Sequence, residues 1–181
     1  MEKICIYCSA SKNIDPVFKE NAIKLGIWIG KNNKTLLNGG SSQGLMEVFS
    51  STVKGNGGKT IGVIPKNLKE RGWLSNYNDE VIIVKDLNER KDMMKKLSDI
   101  MIVFPGGIGT MDEMFDAWAS FSLGFHNKKI VLVNVDGFYD KLIEFLDKLK
   151  TGNFIHDFLP SPLIVVNSID ECIEILKEVK S

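Results

Sequence analysis

Three glycines and a threonine placed just before an acidic residue form an arrangement that can do chemistry, and this chain has one. Phe104-Pro105-Gly106-Gly107-Ile108-Gly109-Thr110-Met111-Asp112-Glu113 ends an apolar run, Asp99 to Phe104, and leads into apolar residues at helical spacing from Met111 to Phe125. A strand-to-helix turn of this composition lets bare backbone approach a ligand while helix N–H groups point outward, the geometry of an anion site. Glu113 has two readings at this level. Thr110-Met-Asp-Glu113 has the spacing of a capping box, in which Thr110 caps the helix and Glu113 reaches back to its N–H. Alternatively, Glu113 is a reacting carboxylate mounted on the helix start.

A second glycine turn, Asn38-Gly39-Gly40-Ser41-Ser42-Gln43-Gly44, also follows an apolar run. Its G-G-x-x-x-G spacing is not the dinucleotide fingerprint, and the next apolar run, ending near Ile64-Pro65, lacks the acidic residue that would hold a ribose. Neither Gly44 nor Gly109 is followed by lysine, so neither turn is a Walker loop, and Gly57-Gly58-Lys59-Thr60 precedes a strand and reads as a turn. Two such turns at strand ends suit backbone contacts to one phosphorylated ligand. Arg90-Lys91 stands at the start of a helical stretch, where the helix dipole disfavours exposed cations by about 0.3–1 kcal/mol each. A phosphate or phosphoribose nearby would account for the pair; a solvated face is the plain alternative.

The elements that must position these residues alternate from end to end. Strands are expected over Lys3–Cys8, Thr35–Asn38, Lys59–Ile64, Val81–Val84, Ile100–Phe104, Ile130–Val135 and Leu163–Val166, short and rich in Ile and Val on both faces as a covered parallel sheet requires. Amphipathic helices are expected over Asp15–Lys31, Ser42–Lys54, Asn88–Leu97, Thr110–Gly124, Phe138–Lys150 and Ser168–Lys180. This pattern predicts one α/β domain over residues 1–181, a Rossmann-like doubly wound parallel sheet of about seven strands with helices on both faces. Ligands then bind beyond the carboxyl ends of the strands. Cys8-Ser9-Ala10-Ser11, the Asn38–Gly44 turn, Asn88-Glu89-Arg90-Lys91 and Pro105–Thr110 all fall there. Lys66–Glu80 reads equally as a mobile flap or a surface connection.

Composition excludes several classes. The chain has 23 basic and 23 acidic residues among 181, so it shows no nucleic-acid footprint and no membrane-binding patch. Its longest apolar runs are about five or six residues, far below a membrane span of ~20. The start runs straight into a strand, with no signal-peptide core, so a cytoplasmic protein is expected. Cys5 and Cys8 form a C-x-x-C, but strand residues three apart face opposite ways, which predicts ordinary buried thiols. His126 and His156 are isolated, and no metal site is expected.

The residues resemble the LOG (Lonely Guy) family of cytokinin riboside 5′-monophosphate phosphoribohydrolases. That family's P-G-G-x-G-T-x-x-E reads here as Pro105 to Glu113, and its arginine–lysine pair as Arg90-Lys91. The likeness continues through G-G-S-x-x-G-L-M at Gly39–Met46, G-V-I-P-K at Gly62–Lys66 and L-V-N-V-D-G-F-Y at Leu132–Tyr139. Members often carry a lysine decarboxylase label, which no pyridoxal context in this sequence supports. The resemblance implies hydrolysis of the N-glycosidic bond of AMP or an N6-modified relative, without metal or cofactor. It implies that Arg90 and Glu113 are catalytic. Lys91, Gly106, Gly107, Gly109 and Thr110 would hold the phosphoribosyl group, with Ser11, Gly39, Gly40 and Ser41 as further binding positions at the strand ends. It also implies a homodimer, for which Phe115, Trp118, Phe121 and Phe125 offer a helical face, although helix core is the default reading of that spacing. Departures from the family pattern fall at Ser9, Asn38, Asn88 and Gly72, and bear on base preference. The same fold resembles molybdenum cofactor carriers, which hold a phosphorylated pterin without chemistry, and more distantly a single-strand DNA binder.

Overall fold

The computed structural model describes residues 3–155 and 161–178. Seven strands form one parallel sheet: β1 (Lys3–Tyr7), β2 (Thr35–Asn38), β3 (Lys59–Pro65), β4 (Glu80–Val84), β5 (Ile100–Val103), β6 (Ile130–Val133) and β7 (Leu163–Val166). Their spatial order is β4-β3-β2-β1-β5-β6-β7. The chain therefore builds outward from β1 to β4, then returns to lay β5 on the other side of β1. The connections reverse direction between β1 and β5, and that is where an open α/β sheet leaves a crevice.

Among the described residues seven α-helices follow the strands: α1 (Pro16–Lys31), α2 (Gly44–Gly55), α3 (Lys66–Glu70), α4 (Leu87–Leu97), α5 (Ile108–Ser122), α6 (Asp140–Thr151) and α7 (Ile169–Glu178), all but the short α3 burying residues against the core. Period-two alternation sends Ile4, Ile6 and Cys8 into one core with α1, α2 and α7, and Cys5 and Tyr7 into the other with α4, α5 and α6. The C-x-x-C pair is thus split across the sheet. Cys5, Cys8 and Cys172 are free and buried, and burial raises each thiol pKa, that of Cys172 to about 12.

Helix starts follow local chemistry in two cases. Asp15 accepts from the Val17 N–H with Pro16 in the first turn, and Asp86 accepts from the Asn88 and Glu89 N–H groups. The short helix α3 was not expected, because five residues carry too little periodicity to read. The expected end of the last helix, Lys180, and His156 lie outside the described residues. No helix among the described residues is long and apolar enough to cross a membrane.

Candidate active site

The turn after β5 is built by close packing on one side and left open on the other. A Cβ on Gly106 would lie 2.1 Å from Thr110 Oγ1 and 3.0 Å from the Ser9 nitrogen, so Gly106 is glycine for steric reasons. Added Cβ atoms on Gly107 or Gly109 would meet nothing within 4 Å. Their backbone is bare toward open space, as close approach of a ligand requires. Helix α5 starts at Ile108 with Gly107 at its N-cap, and no side chain caps it. Its first amides therefore keep the orphan N–H groups and positive dipole end that favour an anion.

This start point overturns the capping-box reading. The helix begins two residues before Thr110, so Thr110 is already inside the first turn and Glu113 is a full turn deeper. Glu113 instead receives a hydrogen bond and ion pair from Arg90 Nη2 on α4. A charged partner placed by tertiary packing outcompetes the local backbone N–H. Both side chains are largely enclosed, 14% exposed for Arg90 and 8% for Glu113. Burial raises the Glu113 carboxyl pKa, and this outweighs the lowering by the Arg90 charge and hydrogen bond.

Arg90 is held from behind by the second glycine turn. A Cβ on Gly39 would stand 2.8 Å from Arg90 Nη2 and 3.0 Å from Met46 Sδ, so the guanidinium packs flat against bare backbone. Asn38, fully buried, organises that turn: its Oδ1 accepts from the Gly40 N–H at 2.8 Å, and its Nδ2 donates to Ser50 Oγ at 3.0 Å. Gly40 takes φ +67, the left-handed region that favours glycine. Arg90 Nε and Ser41 Oγ are enclosed with no hydrogen-bond partner among the described residues.

Lys66–Glu80 resolves into α3 and a strap tied across the second turn. The Ser42 N–H donates to the Trp73 carbonyl at 2.6 Å, and the Ser75 N–H and Asn78 Nδ2 both donate to the Gly40 carbonyl. Lys54 anchors Asp79 at 2.8 Å, and the Thr60 hydroxyl donates to the Tyr77 carbonyl at 2.5 Å. The segment is a fastened connection, not a free flap. Gly72 has φ +75 and open space around it.

The remaining expected residues divide. Lys91 pairs with Asp112 at 2.9 Å and Asp116 at 3.6 Å, both on α5. Burial disfavours its ammonium, but those carboxylates outweigh this and raise its pKa. Both cations at the start of α4 thus have carboxylate partners on α5. Ser11 is exposed, and its Oγ accepts from the Asn13 N–H at 3.3 Å. The carbonyls of Ser9 and Ser11 crowd Gly44, whose φ is +55. Trp118 is buried in the α5 core, whereas Phe115 and Phe125 are 41% and 78% exposed. Sequence reasoning assigned no task to Asn38, Asn134 or Tyr139. Tyr139 was visible as the end of the Leu132–Tyr139 segment, but its contact with Phe104 spans 35 positions and has no local signal.

Fold and site together define a parallel α/β protein with a glycine-lined turn at an uncapped helix start and a buried carboxylate–guanidinium pair. A family model described as "Possible lysine decarboxylase" matches residues 46–176. The cytokinin riboside 5′-monophosphate phosphoribohydrolase LOG1 of Arabidopsis thaliana is 36% identical over 99% of this chain and 83% of its own length. Its LOG3 counterpart from the same plant is 35% identical over 97% of this chain and 82% of its own. Among solved structures, a molybdenum cofactor binding protein from Rippkaea orientalis superposes with a TM-score of 0.74 at 26% identity, covering 97% of this chain and 95% of that one. The chain belongs to the LOG family.

Proposed function

We propose that this protein hydrolyses the N-glycosidic bond of a purine nucleoside 5′-monophosphate, AMP or an N6-modified relative, releasing free base and ribose 5-phosphate. The observation that carries the reading is the enclosed Glu113 carboxylate, which is fixed by Arg90 of α4 and stands on α5, the helix whose uncapped start forms an anion cradle. Breaking the C1′–N9 bond builds positive charge on the ribose, and a carboxylate beside C1′ stabilises that charge. The raised pKa makes the same carboxylate a better base toward the attacking water. Water oxygen bonds to C1′, the bonding pair leaves with the base nitrogen, and the base ends protonated. Arg90 orients Glu113 and offers its remaining N–H groups to substrate oxygens. The Gly106, Gly107, Gly109 and Thr110 backbone binds the 5′-phosphate, with Lys91 contributing its field from behind. Ser11, Gly39, Gly40 and Ser41 border the ribose and base. Binding energy at the phosphate thus serves positioning at C1′.

The protein acts in the cytoplasm as a homodimer in this proposal, the exposed Ile108, Phe115 and Phe125 on and after α5 supplying an apolar contact surface. The test is base release from AMP and from its N6-isopentenyl analogue, followed by chromatography. Release of base with ribose 5-phosphate supports the reading, and the faster substrate names the specificity. Silence on both while nucleotide binds sinks it. The likeness to a molybdenum cofactor binding protein then favours a carrier, recognised by a phosphorylated pterin retained through purification.

The two kinds of glycine separate in mutagenesis. Gly106→Ala forces a methyl into Thr110 and is expected to lose about 1–3 kcal/mol of stability. Gly109→Ala lies at an open helical position, where alanine is favoured by up to about 1 kcal/mol, so it should melt no lower than wild type. Its methyl narrows the cradle, so ribose 5-phosphate affinity should fall. Thermal melts beside a binding titration read both effects.

A further inference from the structure

We infer that Tyr139 is a positioning residue that holds the phosphate-binding turn in shape through the Phe104 carbonyl, just before Pro105. The kinetic part of this inference rests on the hydrolase reading above; the binding part does not. Strand β5 ends at Val103, and Pro105 has no N–H with which to extend the sheet ladder. Toward β1, the Phe104 N–H donates to the Tyr7 carbonyl and the Pro105 carbonyl accepts from the Ser9 N–H, whereas the Phe104 carbonyl is held by a phenol. The Tyr139 hydroxyl donates to the Phe104 carbonyl at 2.9 Å. Gly106 opens the turn whose next residue caps α5.

Tyr139 is itself locked. It is 3% exposed, and its ring packs edge-on against Phe138 at 4.7 Å between centroids. Its own N–H donates to Asn134 Oδ1 at 2.7 Å. Asn134 Nδ2 in turn donates to Asp140 at 2.8 Å and to Asn167 at 3.2 Å, and the Asn134 N–H donates to the Val166 carbonyl. A chain of hydrogen bonds thus runs along the carboxyl edge of the sheet from β7, through the end of β6, to the turn after β5. A tyrosine needed merely to fill the core would require the ring alone. The hydroxyl is placed at the peptide between the end of β5 and the proline that opens the ligand-binding turn.

Tyr139→Phe keeps the ring and removes the oxygen. The variant is expected to keep its circular dichroism and to weaken ribose 5-phosphate binding about five- to tenfold, the usual worth of one well-placed hydrogen bond. KM for AMP should rise in parallel while kcat changes less, and amide exchange at Gly106 and Gly107 should speed up. Asn134→Ala, which releases the Tyr139 backbone and leaves the phenol intact, should move binding and exchange in the same direction. Either variant, folded, with wild-type ribose 5-phosphate affinity and wild-type exchange at Gly106 overturns the assignment. Tyr139-dependent ribose 5-phosphate binding in a protein that releases no base would uphold the positioning role and sink the hydrolase reading.

Discussion

Glu113→Gln is expected to slow base release by about 10²–10⁴-fold, the range a positioned acid–base group supplies. Glutamine matches the carboxylate in shape and can still accept from Arg90 Nη2, so nucleotide binding should survive while turnover fails. The substitution also has a signature in stability. Burial holds the Glu113 pKa above its unfolded value despite Arg90. A carboxyl group raised in this way contributes stability below its unfolded pKa of about 4.3 and loses that contribution as pH rises through the folded pKa. Wild type should therefore lose this increment of melting temperature over that window, and Glu113→Gln should not. The acid limb of kcat/KM should likewise have its midpoint above about 4.3 and disappear with the carboxylate. Full base release by a folded Glu113→Gln would remove Glu113 from the chemistry.

The second large effect is expected at Arg90. Arg90→Ala leaves Glu113 enclosed beside no cation of equal reach, since Lys91 is engaged by Asp112 and Asp116. Removing one partner of a buried pair costs about 3–5 kcal/mol, because the other charge stays desolvated. Arg90 is the largest influence lowering the Glu113 pKa, so its loss raises that pKa further. The stability deficit should shrink at low pH, where Glu113 is protonated, and grow as pH rises. Activity should fall by about 10²–10³-fold, as when a preorganised donor is removed. Arg90→Lys keeps the charge but not the planar fork that lies against Gly39, and should recover stability better than rate. A pH-independent stability loss in Arg90→Ala would mean that the pair is not electrostatically coupled.

Much of this was legible in advance because it is local. Short Ile- and Val-rich runs between amphipathic stretches declare a covered parallel sheet, and the seven strands fall where that pattern puts them, to within a residue or two. The split of Cys5 and Cys8 between two cores follows from strand periodicity alone. Where reasoning from neighbours failed, the deciding partner was far away in the chain. Thr110 and Glu113 have the spacing of a capping box, but α5 starts earlier and Glu113 turns to an arginine 23 positions back. The partners of Lys91, Asp112 and Asp116, likewise come from another helix. The strap over the second glycine turn looked equally free or fixed, until Gly40, Ser42, Thr60 and Lys54 were seen to hold it.

The sequence by itself determined the fold class and the two glycine turns, because element periodicity and turn chemistry are written in consecutive residues, and its resemblance to the LOG family singled out Arg90 and Glu113. The tertiary structure alone decided the strand order, the pairing of Arg90 with Glu113 across α4 and α5, and the grip of Tyr139 on the turn after β5. Those depend on which distant segments the packed sheet brings within hydrogen-bond reach, and on burial, which sets the charge balance at Glu113.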